Sequence, residues 1–317
     1  MLVLTSSVCF VGCKDKGTIR LNEVTHSVFY APLYVAINNG YFEDYGIKLE
    51  LTNGGGSDVS MAAMLSGQAD IALMGPETVV YVASQGSKNY PKVFGQLTKR
   101  DGSFLISKTN YTDFDWERDV KGKTVIAGRT GGMPAMTFEW VCNSNKLYKG
   151  INVTLDNDTA FTMQAAVFES TDAEFCTMFE PTASEYVAAG KGYRAASVGQ
   201  YSGEIPYTCF MANPNYIKKH KGTIENFLKA IDKAYNFIKN NDGATVAKSL
   251  QNSFKTTSLE SLAAAVDSYK AIDAWCSDFA MTEDSYMRLL QVMTNAGQIS
   301  KNVSFASVVD NTYADKI

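Results

Sequence analysis

Two glutamates stand where a carboxylate could meet a ligand. Glu77 follows the apolar run ADIALM, and Glu180 follows the apolar run in EFCTMF. A proline beside each glutamate marks the start of a helix. A carboxylate at a helix start is favourable by itself, by about 0.3–1 kcal/mol, so helix capping explains each residue as well as ligand binding does. If both face a ligand, the pair suits N–H donors or a cation and repels an anion.

Three aromatic residues at predicted turns offer flat faces on which a ring could stack. Phe29 and Tyr30 follow the first predicted strand, and Tyr207 precedes the strand-like run TCFMA. Core packing is the alternative for these rings, above all for Phe29. His26 lies in the first of these turns and could hydrogen-bond a ligand or stabilise the turn.

Backbone N–H groups at helix starts are a further kind of ligand group, because they can hold an acceptor atom. The turns GPET and RTGGMP present such groups, and Ser57 is placed to cap another helix. Arg129 is the cation of the second turn, and a solvated rim charge is its alternative role. The predicted ligand-binding set is His26, Phe29, Tyr30, Ser57, Gly75, Pro76, Glu77, Thr78, Arg129, Thr130, Gly131, Gly132, Met133, Glu180 and Tyr207.

The elements that must position these groups alternate between strand and helix. Residues 18–80 predict strands at 18–24, 47–51 and in ADIALM, with helices between them. Such alternation indicates a parallel sheet covered by helices, in which ligands bind at the carboxyl ends of the strands. The helix after Ser57 is predicted to bury one apolar face, formed by Val59, Ala62, Ala63 and Leu65.

The same pattern returns later in the chain and predicts a second sheet. TVIAG and EFCTMF are its clearest strands, each followed by a turn and a helix start. SFLISK is predicted to carry the chain out of the first lobe and PYTCFMAN to bring it back. We therefore predict a first lobe from residues 18–107 and 206–317 and a second lobe from residues 108–205, with the C-terminal helices on the first lobe.

Two long segments carry a family resemblance. FYAPLYVAINNGYFEDYGIKLEL followed by GGGSDVSMAAMLSGQADIALMGPE resembles the solute-binding proteins of the nitrate, sulfonate and thiamine-precursor class of ABC importers. The resemblance continues through VKGKTVIAGRTGGMP and FEPTASEY and covers most of residues 18–239. It implies an α/β venus flytrap of the type II periplasmic-binding-protein kind, with a mixed sheet flanked by helices in each lobe. It also implies a protein that closes on a small ligand and delivers it to a membrane permease. We expect a monomer without cofactor or metal, since the two histidines, His26 and His220, leave little material for a metal site.

The ligand class follows from the predicted charges. With Glu77 and Glu180 at the cleft, an amine, a pyrimidine or another nitrogen heterocycle is favoured over nitrate or an alkylsulfonate. The anion remains the alternative on the same fold, with Arg129 and the helix starts as its ligands.

The composition and motifs give little support to other classes of function. The net charge is −4, without a run of basic residues, which argues against nucleic acid. No nucleophile elbow, zinc-protease helix or phosphate-binding loop motif is present. A fungal pyrimidine-precursor synthase shares the implied fold, but it carries a cysteine cluster that this chain lacks, so we predict binding and not catalysis. The wide spacing of four further cysteines predicts isolated buried thiols: Cys142, Cys176, Cys209 and Cys276. The sequence does not decide whether two of them form a disulfide.

The N-terminal segment MLVLTSSVCFVGC, followed by KDKG, resembles a bacterial lipoprotein cleavage site. In that interpretation residues 1–17 are signal and tether, Cys13 carries the lipid, and the protein is extracytoplasmic and membrane-anchored. Two departures are the missing basic segment at the start and Phe10, where Leu or Val is usual. The alternative is a disordered or strand-like N-terminus.

Overall fold

The computed structural model describes residues 17–317, which form two five-stranded sheets covered by helices. The strands are β1 Gly17–Glu23, β2 Ile47–Asn53, β3 Ile71–Met74, β4 Lys92–Thr98, β5 Ser103–Ser107, β6 Thr124–Ile126, β7 Thr154–Asp156, β8 Phe175–Phe179, β9 Tyr193–Ser197 and β10 Thr208–Ala212. The helices are α1 Ala31–Asn38, α2 Tyr41–Asp44, α3 Ser57–Leu65, α4 Glu77–Ser84, α5 Trp116–Val120, α6 Met133–Ser144, α7 Gln164–Ser170, α8 Thr182–Ala188, α9 Val198–Ser202, α10 Pro214–Lys219, α11 Lys221–Asn240, α12 Gly243–Leu250, α13 Leu259–Ala271, α14 Glu283–Asn295 and α15 Phe305–Val308.

The two sheets have the same layout. The first has the strand order β2-β1-β3-β10-β4 and the second the order β7-β6-β8-β5-β9. In each sheet the first three strands of the order are parallel, and the fourth runs antiparallel to its neighbours. The carboxyl ends of the parallel strands therefore lie at one edge of each sheet, where the predicted ligand turns begin. The prediction of two lobes, each a mixed sheet flanked by helices, is confirmed.

The strand that leaves the first lobe lies in the second sheet. The predicted boundary at residue 107 put Ser103–Ser107 in the first lobe, but this strand pairs with β8 and β9. All five of its residues are buried, and a short apolar strand of this kind fits the interior of either sheet. The chain thus crosses between the sheets at residues 99–102 and returns at residues 203–207. We call these two stretches the crossing segments.

Helix α3 differs from its prediction in both its start and its buried face. Gly56, and not Ser57, is the N-cap residue, and no side chain caps the helix. The buried residues are Ser60, Met61 and Met64, whereas Val59 and Leu65 are exposed. Met61 and Met64 are also three residues apart, so helical periodicity alone does not choose between the two faces.

The C-terminal helices contact both lobes. Helix α11 packs on α1 and α2 of the first lobe, as predicted. Helix α13, however, contacts α8, and α14 contacts α6, so these two helices also meet the second lobe. The second of these contacts includes a hydrogen bond from Asn143 Nδ2 to Asn295 Oδ1. Apolar periodicity identified these helices but did not indicate that their other faces meet the second lobe.

All four cysteines in the described part of the chain are buried and free, as predicted, but Cys276 lies near enough to Cys209 to add to the effect of burial, which raises the pKa of the Cys209 thiol. Over residues 17–317, no helix is long and apolar enough to cross a bilayer. Within the same range, no group of three or more His, Cys, Asp or Glu side chains is arranged to hold a metal ion. The predicted lipidation site, Cys13, lies outside the described residues.

Candidate ligand-binding site

An aromatic cluster lies where the two lobes meet. Phe29, in the short turn after β1, packs against Tyr207 with ring centroids 5.7 Å apart and against Phe179 of the second lobe at 5.6 Å. Tyr30 and Tyr269 pack on the same ring, at 5.7 and 5.0 Å. The structure thus brings together the three aromatic residues predicted for the cleft. Phe179 and Tyr269 were missed, because nothing in their local sequence indicates which face of β8 or α13 meets the other lobe.

Glu77 is the carboxyl group at the centre of this meeting point. It is the first residue of α4, only 2% of its surface is exposed, and its Oε2 has no hydrogen-bond partner within the described residues. Burial raises its pKa to about 8, although the N–H groups of Glu77 itself and of Met133 act in the opposite direction. Met133 begins α6 of the second lobe. The helix starts of the two lobes therefore meet at a carboxyl group that is mostly protonated at neutral pH.

Gly75 makes this position of the carboxyl group possible. The Glu77 side chain folds back over the preceding turn, and a Cβ atom at Gly75 would lie 1.9 Å from Oε2. Pro76 is the N-cap residue of α4, and the Thr78 hydroxyl donates to the Gly75 carbonyl at 2.7 Å. The predicted turn GPET thus holds one carboxyl with an unpartnered oxygen and three residues that shape its surroundings.

The partners of the Glu180 carboxylate all lie within the second lobe. Its carboxylate accepts hydrogen bonds from Ser184 N and Ser184 Oγ, both at 3.0 Å, and forms an ion pair with Arg194. The Glu180 N–H donates to Tyr269 Oη at 3.0 Å, which links this turn to α13. Both carboxylate oxygens therefore have partners, as the capping alternative predicted, and Arg194 is a partner that the sequence did not indicate.

Asp101, on the first crossing segment, is a second buried carboxyl group near the cluster. It is fully buried, and its Oδ1 accepts from Ser103 N at 2.6 Å and from Ser103 Oγ at 2.5 Å. Its Oδ2 faces the Tyr207 hydroxyl, and the interaction between these two side chains opposes the effect of burial on the pKa of Asp101; neither atom has another partner among residues 17–317. Burial raises the pKa of Asp101 to about 6. Asp101 followed two residues later by Ser103 is typical of a turn closed by its own side chain.

The turn RTGGMP lies at the rim of the aromatic cluster and contacts the first lobe across it. Arg129 and Thr130 are exposed, and Thr130 N donates to Asn157 O at 2.9 Å. The Gly131 carbonyl accepts a 2.8 Å hydrogen bond from Tyr81 Oη of the first lobe. Gly132 is the N-cap residue of α6. This turn therefore joins the lobes through its backbone, while its one cation faces solvent.

His26 is held by other parts of the first lobe. Its Nδ1 lies 2.9 Å from Glu23 Oε1, its Nε2 lies 2.8 Å from the Ser253 carbonyl, and its ring packs on Phe254. The hydrogen bond with Glu23 raises the pKa of His26. Both ring nitrogens are thus engaged, which fits the turn-stabilising alternative.

The lobes contact one another around the aromatic cluster, and two open cavities lie outside it. One, of about 520 Å³, lies between β9 and α13 and is bordered by Arg194, Gln200 and Asp267. Another, of about 410 Å³, lies beside the Arg20–Asp70 ion pair near His220. The rings of the aromatic cluster line neither cavity, and the buried Glu77 Oε2 lies there without a partner among the described residues. We therefore take the cluster, and not the cavities, as the candidate site.

Comparison with known proteins places the chain in a family. The sequence profile of the family described as NMT1/THI5 like matches residues 28–244. A Bacillus subtilis (strain 168) protein named "Putative binding protein YtlA" is 36% identical over 308 residues, covering 96% of this chain and 92% of that protein.

Solved structures share the fold. The alkanesulfonate-binding protein SsuA from Xanthomonas axonopodis pv. citri superposes with a TM-score of 0.73 at 13% identity, covering 92% of this chain and 97% of that one. A ligand-binding component of an ABC-type import system from Staphylococcus aureus gives 0.73 at 14% identity, covering 94% and 98%. At these identities the likeness establishes the fold alone. The relatives are binding proteins by name, in agreement with the prediction of binding without catalysis, and the predicted resemblance is confirmed: the chain belongs to the NMT1/THI5-like family.

Proposed function

We propose that the chain is the extracytoplasmic solute-binding protein of an ABC importer. In this proposal it holds a small nitrogen-containing aromatic or heterocyclic ligand, of pyrimidine type, between its lobes and delivers it to a membrane permease. The observation that carries the ligand class is Glu77 Oε2, a buried acceptor without a partner in the described chain, beside the ring of Tyr207 and its neighbours. The importer role is supported by the family, by the name of the B. subtilis relative and by the shared fold.

A buried acceptor without a partner is costly, by about 1–3 kcal/mol, and a ligand N–H group removes that cost. Aromatic rings around it favour a flat ligand, since stacked or edge-on pairs add about 0.5–1.5 kcal/mol beyond burial. A ligand held between the lobes favours the closed form, because only that form contacts the ligand from both sides. The hydrogen bond from Tyr81 to the Gly131 carbonyl belongs to that closed form.

An anion of the nitrate or alkanesulfonate type is the second candidate, supported by the names of structural relatives such as SsuA. Helices α4 and α6 both begin here, and helix starts favour anions. In this chain, however, the Glu77 carboxyl already lies where the two starts meet. An anion can bind there only while the carboxyl keeps its proton, whereas an N–H donor can bind to its free oxygen in either protonation state.

A thermal-shift screen of the chain from Lys14 onward tests the proposal. One ligand set holds pyrimidines and aromatic amines, and the other holds nitrate, sulfonates and bicarbonate. A ligand at about 100 times its dissociation constant stabilises by about 2.7 kcal/mol, which is easily seen. We expect hits in the first set that weaken in Glu77→Gln and persist in Glu185→Gln, which removes an exposed carboxylate of α8. Hits in the second set alone would overturn the ligand class.

The membrane anchor is part of the same proposal and rests on the segment that ends at Cys13. Lipid on this cysteine would hold the protein at the outer face of the membrane. In bacterial expression we expect the full chain to partition into the detergent phase and Cys13→Ser to stay in the aqueous phase. Equal partitioning of the two proteins would contradict the anchor and leave the ligand proposal unaffected.

A further inference from the structure

The loop between β7 and α7 follows the carboxyl end of a parallel strand of the second sheet, the edge at which ligands bind in such sheets. We call its residues, 157–163, the rim loop. Its first half is held by side chains: the Asp156 carboxylate accepts from Thr159 N at 3.2 Å and from Thr159 Oγ1 at 2.7 Å. Asn157 Nδ2 donates to the Gly128 carbonyl at 3.1 Å, which ties the loop to the stretch after β6.

Phe161 of the rim loop is the outermost ring of the aromatic cluster. Its ring centroid lies 5.4 Å from that of Phe179, which packs in turn on Phe29. Phe161 is nevertheless 40% exposed, and the neighbouring Met163 is 52% exposed. Ligand pockets are lined largely by apolar and aromatic side chains, so exposed side chains of this kind beside a ring cluster are positioned to cover a ligand that lies on it.

Gln164, three residues after Phe161, carries a buried amide donor without a partner. Only 4% of its surface is exposed, and its Nε2 makes no hydrogen bond within the described part of the chain. The short turn that contains Phe161 and α7 form one continuous helical stretch, so the two side chains lie on the same side of it. The Gln164 carbonyl accepts from Cys176 Sγ at 3.8 Å, which places the residue against β8, the strand that ends at Phe179. A buried donor left without a partner is costly, and a ligand acceptor would remove that cost.

This donor and the Glu77 carboxyl belong to the same aromatic cluster. Glu77 lies near enough to Tyr207 to add to the effect of burial, which raises the pKa of that phenol. The Tyr207 and Phe179 ring centroids are 6.4 Å apart, and Phe161 packs on the second of these rings. Each lobe therefore brings to the cluster a buried polar atom that has no partner among residues 17–317, an acceptor from the first lobe and a donor from the second.

We propose that Gln164 is a ligand-recognition residue whose amide donates a hydrogen bond to the ligand, and that Phe161 covers the ligand ring from the solvent side. This rests on the proposed function and narrows its ligand class. The preferred ligand carries an N–H donor for Glu77 and also an acceptor for Gln164, either a ring nitrogen or a carbonyl oxygen. An aromatic amine without such an acceptor binds less tightly.

Calorimetric titration of the chain from Lys14 onward with 4-aminopyrimidine and aniline tests the inference. The two probes share their shape and their amino group, but only the pyrimidine has ring nitrogens that accept hydrogen bonds. Gln164→Met keeps the length of the side chain and removes its amide. We expect at least about fivefold weaker binding of 4-aminopyrimidine and less than about twofold weaker binding of aniline, because only the pyrimidine loses a hydrogen bond. Gln200→Met, at an exposed glutamine of α9, should change neither affinity.

Phe161→Ala should give a different result, because the ring covers both probes alike. We expect the two affinities to fall by a similar factor, about two- to tenfold. Ile151→Ala is the control, since it shortens an apolar side chain of the same lobe that is 82% exposed, and it should leave both affinities unchanged. Unchanged affinities in Phe161→Ala would show that this ring does not cover the ligand.

The outcomes separate this inference from the function on which it rests. Equal losses for the two probes in Gln164→Met, or a lower melting temperature with both affinities intact, would make Gln164 a structural residue and leave the proposed function standing. Failure of both probes to bind the unaltered protein at about 1 mM would overturn the ligand class itself, and this inference with it. If Gln164→Met does not fold, the unaltered protein decides: it must bind 4-aminopyrimidine at least about fivefold more tightly than aniline, or the inference fails.

Discussion

The buried Glu77 carboxyl should make the ligand-free protein less stable as pH rises. Its pKa rises from an ordinary value of 4.5 to about 8 on folding. Between these two values the folded protein keeps a proton that the unfolded chain releases, so the stabilisation is fully present below about pH 4.5 and is lost as pH approaches 8. Glu77→Gln removes the titration while keeping a neutral side chain of the same size.

The magnitude follows from the same two pKa values. Three and a half pH units at about 1.4 kcal/mol each give about 5 kcal/mol as an upper limit. Opening of the lobes admits water to the carboxylate and lowers the cost, so we expect about 2–5 kcal/mol. At pH 5 the variant should be within about 1 kcal/mol of the unaltered protein, since both side chains are then neutral. At pH 9 it should be more stable by nearly the full amount.

Urea unfolding at five pH values from 5 to 9, without ligand, measures the difference between variant and unaltered protein. Glu185→Gln serves as the control. This substitution changes the net charge by the same amount as Glu77→Gln, but it removes an exposed carboxylate and leaves the buried carboxyl intact. A difference for Glu77→Gln that stays flat across this range would refute the reasoning. A Gln variant that loses stability at high pH would show the opposite sign, that of a carboxylate held ionised by the two helix starts.

Two further substitutions test the contacts around the site. Tyr81→Phe removes the hydrogen bond to the Gly131 carbonyl and should weaken ligand binding by about 1 kcal/mol. It should also increase the radius of gyration of the ligand-free protein in solution scattering; unchanged scattering and affinity would show that this bond does not hold the lobes together. Arg194→Met leaves the fully buried Glu180 carboxylate without its cation and should destabilise by about 2–4 kcal/mol in urea unfolding. Restoration of most of that loss by a second change, Glu180→Gln, would identify the unpaired charge as the cause, and a loss below about 0.5 kcal/mol would contradict it.

Most of the architecture could be predicted because its signals are local. Apolar runs that end in GPET and RTGGMP identify strands followed by helix starts, and their repetition indicates two lobes. Strand β5 is an element whose sheet such local signals do not predict. Its five residues are buried whichever sheet it joins, and its pairing with β8 is a contact between residues about seventy positions apart. Nothing within the strand encodes that choice.

The site could be predicted in part for the same reason. Phe29 and Glu77 follow strands directly, so their position at the carboxyl edge of a sheet can be inferred from the sequence. Whether a carboxylate at that edge keeps an oxygen without a hydrogen-bond partner depends on residues that are distant in the sequence. Glu180 is closed by Arg194, which comes from β9, whereas Glu77 Oε2 has no partner among the described residues. The two glutamates have similar local sequences and opposite surroundings.

The proton on Glu77 connects the stability of the free protein with the proposed binding. In the closed, ligand-free form that proton neutralises a carboxyl that would otherwise be a buried charge between the lobes. A cationic ligand supplies the same neutralisation with its own charge, so its binding must release the proton whenever the pH is below about 8. Affinity for a cation should then increase with pH over the range in which the free protein loses stability. A neutral N–H donor, which needs the carboxylate only as an acceptor, would show a weaker dependence, so one pH series distinguishes the two kinds of ligand.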